Sequence, residues 1–174
     1  MGHATDDTWT LLGRVGLTRA GGVLDALADP AATDALSALL ADQLRPFEPE
    51  VVVVWEGLQS VVLGYAVGLR LGVPVAVLSD DEGLVRSATP ITADTRAALV
   101  AATTPDPSMA RMAASYLEAQ DGELVATATL LARSGGADRT VTLAELPPDE
   151  PASGTLSRHD PALTPGQTPR GEGR

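Results

Sequence analysis

Cysteine and lysine are missing from this chain, histidine is reduced to two residues, and the aromatics are two tryptophans, two tyrosines and one phenylalanine. Without cysteine there is no disulfide, no thiolate metal site and no cysteine nucleophile. Without lysine there is no Schiff-base chemistry and no Walker-type phosphate lysine. The two histidines, His3 and His159, fall in the end segments, which excludes a Ser-His-Asp triad built in a core. No apolar run approaches bilayer-spanning length, and the opening MGHATDDTWT lacks the basic and apolar regions of a leader, so a soluble cytoplasmic protein is expected, with no membrane partner. Every basic residue is an arginine, and the 12 of them face 23 acidic residues for a net charge of −11, which argues against a nucleic-acid surface.

The chain is rich in small apolar side chains. With 44% apolar residues and only 3% aromatics, the core must be built from Ala, Val and Leu, which suit close packing of helix on sheet. A length of 174 residues fits one domain with some chain to spare. The divisions expected are a flexible N-terminus over 1–7, a domain over 8–146, and a disordered tail over 147–174, where Pro and Gly accumulate and apolar periodicity stops.

Along the domain, Leu11, Leu12 and Val15 recur at helical spacing and Gly16 offers a stop. TRAGG reads as flexible. Pro30 suits a first helical turn, and Leu36, Leu39, Leu40 and Leu44 predict an apolar stripe on a helix ending near Arg45. VVVVW at 51–55 is a β-branched run of the kind covered on both faces. Val61, Val62, Tyr65, Ala66 and Leu69 predict the inward face of the next helix, Gly72 its stop, and VPVAVLS a second buried strand. The polar stretch from Ser79 to about Thr95 reads as a functional loop or hairpin. RAALVAA is a third strand, MARMAASYLEAQ a helix turning Met112, Tyr116 and Leu117 to the sheet, ELVATATLLAR a fourth strand, and RTVTLAEL a short fifth. The fold class expected is α/β: a three-layer, doubly wound, mostly parallel sheet.

In such a sheet ligands sit beyond the carboxyl ends of the strands, and two corners there stand out. At WEGLQS (Glu56, Gly57, Leu58, Gln59 and Ser60), Gly57 permits close backbone approach or an unusual φ, although a plain strand-to-helix turn explains it equally well. At TTPDPS, Thr103, Thr104 and Ser108 offer hydroxyls at a helix N-terminus that suits an anion. Asp106 as a cap with Pro107 in the first helical position explains the same residues without a ligand and is the preferred reading, since Asp106 would repel a phosphate. Asp80, Asp81 and Glu82 have the oxygen chemistry for Mg²⁺, with solvated loop charge the simpler alternative.

The order of these segments, and GLRLGVPVAVL in particular, resembles the type I phosphoribosyltransferases, especially the orotate phosphoribosyltransferase-like branch, over residues 8–146. The resemblance implies the phosphoribosyltransferase fold, homodimerisation, and transfer of ribose 5-phosphate from phosphoribosyl pyrophosphate to a nucleobase with Mg²⁺. It places the pyrophosphate loop on Glu56–Ser60 and the flexible catalytic loop on 79–95, where Asp80, Asp81, Glu82 and Arg86 lie. It places the phosphate loop on Ala101, Ala102, Thr103, Thr104, Asp106 and Ser108. The family's acidic pair there falls on Ala101 and Ala102, its glycine-rich turn on Thr-Thr-Pro-Asp-Pro-Ser, and the flexible-loop lysine is absent. Prolines supply no N–H to a phosphate cradle. The expectation is therefore a degenerate donor site in a non-catalytic regulatory or binding module of nucleobase or nucleotide metabolism, with a nucleotide-like ligand or a protein as partner. The alternatives are an active transferase holding Mg²⁺ through Glu56, Asp80 or Asp81, and an unrelated doubly wound binding domain.

Overall fold

The computed structural model describes residues 5–133 and 140–146. The expectation for 147–174 lies outside these residues, as do His3, His159 and Arg139.

Helix α1 (Asp6–Arg14) starts inside the segment expected to be a flexible lead-in, because Thr5 caps it: its hydroxyl accepts from the Thr8 amide at 3.2 Å, and Asp6 and Asp7 sit in the first turn. TRAGG is ordered as a small arm, β1 (Leu17–Thr18) paired antiparallel with β2 (Gly21–Gly22). Glycine is required here. Gly16 and Gly22 have φ of +84° and +145°, and a Cβ on Gly16 would lie 2.6 Å from the Val23 carbonyl. Helix α2 (Pro30–Leu44) is capped by Asp29, whose carboxylate accepts from the Ala32 amide at 3.0 Å. A short 3-10 turn, Arg45–Phe47, then leads to β3 (Val51–Trp55).

From β3 the chain enters α3 (Leu58–Leu71), β4 (Val75–Asp81), β5 (Leu84–Ser87), β6 (Arg96–Thr103), α4 (Pro107–Glu118), β7 (Glu123–Arg133) and β8 (Thr140–Leu146). The strands form one six-stranded sheet in the order β5-β4-β3-β6-β7-β8, parallel throughout except for β5. The polar 79–95 stretch is thus a β4–β5 hairpin followed by a loop. Strand β3 alternates between two cores: Val52 and Val54 pack with Leu36, Leu40, Leu63 and Val67 on the face covered by α1, α2 and α3, while Val51, Val53 and Trp55 pack with Ala113 and Leu117 of α4 on the other. Full burial of all five residues explains why this strand reads as an unbroken apolar run.

Two apolar stripes expected from the sequence are corrected. On α2, Leu36, Leu40 and Leu44 are buried but Leu39 is not. On α3 the inward face is Leu63, Gly64, Val67 and Gly68, and Tyr65 and Leu69 point to solvent. The reason is proximity: Gly64 lies against the Val54 side chain, and a Cβ on Gly68 would sit 2.6 Å from Val75, so small residues set the spacing between helix and sheet. On α4, Leu117 is buried as expected beside Ala113, with Met112 and Tyr116 half-buried at its edge.

The winding reverses between β3 and β6, which puts a topological switch point between their carboxyl ends. Both sequence corners leave the sheet there.

Candidate functional site

The 55–60 corner is built by a tight exit from β3. The Glu56 amide donates to the Leu78 carbonyl at 2.7 Å, Gly57 turns the chain with φ +137°, and α3 begins at Leu58. That φ lies where a side chain is strained, which accounts for the glycine. Gln59 has a structural role, since its Oε1 accepts from the Ala26 amide at 2.6 Å and ties the N-terminal loop to α3. Glu56 and Leu58 are exposed and Ser60 is half-buried.

The 101–108 corner ends β6. Ala102 packs against the core beneath α1–α3. Ala101 is half-buried and stands in one cross-sheet row with Thr129 and Thr142. Two strand positions beyond the Val53–Leu99 pair, Trp55 falls in the same row. Trp55 Nε1 and Thr129 Oγ1 are both buried and have no hydrogen-bond partner among the described residues. Where the resemblance expects an acidic side chain, an alanine thus lies between two unanswered donors.

Beyond the strand the backbone donors and the Ser108 hydroxyl are largely taken. The Thr104 amide donates to the Leu131 carbonyl at 3.1 Å, Pro105 and Pro107 have no N–H, and the Ser108 amide donates to Asp106 Oδ1 at 2.7 Å. The Ser108 hydroxyl donates to the same oxygen at 2.5 Å. Asp106 is the N-cap of α4 and Pro107 its first residue, the arrangement preferred from sequence. The Ser108 hydroxyl, then its amide, hold the Asp106 carboxyl below its ordinary pKa, with Arg111 adding to the effect, so the corner carries a full negative charge at neutral pH. Among the backbone amides from Thr104 to Ser108, only that of Asp106 is uncommitted.

Thr103, Thr104 and Asp106 line a cavity of about 440 Å³ together with Gly21 and Gly22 of the β1–β2 arm and Leu131 of β7. Among the described residues its lining carries one charge, that of Asp106. Reading TRAGG as flexible missed the arm's part in this cavity; the signal available was the Gly-Gly pair, which marks a backbone needing positive φ. The contribution of Leu131 follows only from strand order.

The flexible-loop residues lie elsewhere. Glu82 and Gly83 make the hairpin turn with φ of +53° and +86°, Asp80 accepts from the Gly83 amide at 2.7 Å, and Asp81 pairs with Arg86 at 3.2 Å. The hairpin leans on α4, where Gly83, Leu84, Ser108, Arg111 and Tyr116 frame a second, more open cavity of about 490 Å³. Glu56–Ser60 line neither cavity. Among the described residues no group of three His, Cys, Asp or Glu residues stands together as an all-protein metal cage. Asp80 and Asp81 are already engaged in the turn and its ion pair.

No family model and no curated protein matches the chain in sequence. Solved structures do match in shape. Adenine phosphoribosyltransferase from Trypanosoma brucei, solved with AMP, pyrophosphate and ribose-5-phosphate, superposes with a TM-score of 0.63 at 11% identity, covering 95% of this chain and 91% of that one. Orotate phosphoribosyltransferase from Mycobacterium tuberculosis, solved with inorganic phosphate, gives 0.62 at 19% identity over 82% and 90% of the two chains. Adenine phosphoribosyltransferase from Thermoanaerobacter pseudethanolicus gives 0.61 at 15% identity over 71% and 88%. Adenine and orotate enzymes match alike, so the shape does not single out the orotate branch. No described helix is long and apolar enough to cross a membrane. The chain has the type I phosphoribosyltransferase fold, a mostly parallel sheet flanked by helices, with its own chemistry at the corner where the sheet's winding reverses.

Proposed function

We propose that this protein is a non-catalytic binding or regulatory module of nucleobase or nucleotide metabolism, built on the phosphoribosyltransferase fold with a donor site that no longer accepts phosphate. One observation carries the reading: both anion-binding groups of Ser108, amide and hydroxyl, are bonded to the Asp106 carboxylate, which occupies the helix N-terminus in a phosphate's stead. A phosphate brought to this corner meets a charge of its own sign and loses the donors that would repay its desolvation, each worth about 1.5–3 kcal/mol when charge-assisted. The cavity's exposed Thr103 and Thr104 and its Asp106 carboxylate suit instead an uncharged ligand bearing N–H donors, the chemistry of a free nucleobase or nucleoside.

The test is a pyrophosphate-release assay with phosphoribosyl pyrophosphate, Mg²⁺ and a panel of purine and pyrimidine bases, run beside thermal-shift measurements with the bases alone. The expected result is no release with any base, and stabilisation by at least one base or nucleoside that is lost in Asp106→Ala. Base-dependent release abolished by Glu56→Ala would instead establish an active transferase.

A further inference from the structure

The open cavity of about 490 Å³ between the β4–β5 hairpin and α4 shares no lining residue with the corner cavity. Arg111, Met112, Ser115 and Tyr116 recur at three- and four-residue spacing, so they fall on one side of α4, and Leu84 and Val85 join them from the hairpin. The volume lies within the range of small-molecule sites, about 300–1,000 Å³.

Its charge is the reverse of the corner's. Asp106 is the one charge lining the corner cavity, and Arg111 is the one charge lining this one. Arg111 also differs from the other arginines whose side chains are described. Arg14, Arg19, Arg45, Arg70 and Arg86 each pair with an aspartate, and Arg96 donates to the Phe47 and Glu48 carbonyls. Arg111 forms no ion pair among the described residues. Its Nε donates to the Pro107 carbonyl at 3.2 Å, which holds the guanidinium and leaves its two terminal nitrogens uncommitted. In a chain of net −11, a cation left unpaired beside a cavity selects an anion from outside the chain.

The surroundings of Arg111 narrow the kind of anion. Leu84 is 57% exposed, and Val85, Met112 and Tyr116 are half-buried. A leucine, a thioether and a phenol ring together offer a soft apolar surface to a ring. Ser115 and Tyr116 add hydroxyls that can meet a polar ring substituent. The two terminal nitrogens of a guanidinium match the two oxygens of a carboxylate. A phosphate calls for more donors than that, and those of Ser108, amide and hydroxyl, are bonded to Asp106.

We propose that this cavity is a second ligand site, one that takes a small aromatic carboxylate, with the carboxylate on Arg111 and the ring against Leu84, Met112 and Tyr116. The assignment rests on Arg111 and its surroundings and stands whatever the 101–108 corner binds.

An NMR titration of the isotope-labelled full chain with 4-hydroxybenzoate, run beside its uncharged counterpart 4-hydroxybenzamide, tests this. The expected result is saturable shifts of amides within 83–85 and 108–116 at low-millimolar benzoate. Binding should be about ten-fold weaker for the amide, and weaker by a similar factor for the benzoate in Arg111→Gln. Arg86→Gln removes an arginine that is paired with Asp81 and lines no part of the cavity, and should bind as the parent does. No saturation by about 10 mM would overturn the assignment. So would equal binding of the amide, shifts centred elsewhere, undiminished binding in Arg111→Gln, or inorganic phosphate shifting the same amides as strongly. The amide comparison needs no variant, so it decides even if Arg111→Gln fails to fold.

Discussion

Asp106 decides the character of the corner. Its carboxylate is held below the ordinary carboxylate range by Ser108, so this group stabilises the fold above the unfolded-state pKa, and the contribution is lost as pH falls through the lower folded value. Asp106→Asn should therefore lower the urea midpoint at pH 7 and match the parent once both are measured at a pH below the usual carboxylate range; an offset unchanged by acid would mean the charge has no part in the cap. The sequence suggested this residue's role, because Asp followed by Pro is a local capping pattern that needs nothing from the rest of the chain. Thr129 was not legible in the same way. Its hydroxyl is buried beside Ala101 without a partner among the described residues, a fact of register between β6 and β7. Thr129→Val removes that hydroxyl at nearly constant volume and should raise stability by about 1 kcal/mol in urea unfolding; a loss of that size would show that the hydroxyl is bonded in solution.

Among the elements, α3 separates what periodicity tells from what it conceals. Its helical character and its Gly72 stop follow from sequence, but its inward face was assigned to the large side chains when glycines occupy it. A glycine carries no hydrophobic signal, so close helix-on-sheet contact is invisible to any reading weighted by apolar size. Gly64→Ala should cost about 1–3 kcal/mol through overpacking against Val54, measured as a fall in chemical stability, because the strand beneath is fully buried and has nowhere to move. A neutral Gly64→Ala would mean that α3 stands further from the sheet than described. The arm behaves similarly: Gly22→Ala would place a methyl against the Gly16 carbonyl, and should loosen the arm's share of the cavity lining with little change in the main sheet. Hydrogen exchange confined to residues 16–26 would show this.

For the whole molecule, the layered α/β architecture could be read from VVVVW, VPVAVLS and ELVATATLLAR because strands buried on both faces advertise themselves as continuous apolar runs. The two corners could be located because strand-to-helix exits in a doubly wound sheet are where ligands sit. The cavity could not, since it joins Gly21, Thr103 and Leu131, segments brought together only by the sheet order and the fold of the arm. Nor could the separation of the acidic hairpin from that cavity, which follows from the way β5 pairs back on β4 and leans on α4. The result is a chain with the shape of phosphoribosyl-transferring enzymes whose β6–α4 corner is capped by its own carboxylate. Isothermal titration of the folded protein with phosphoribosyl pyrophosphate and Mg²⁺ tests this most directly. The account predicts no saturable heat up to millimolar ligand; saturable binding at micromolar concentration, weakened by Ser108→Ala, would contradict it.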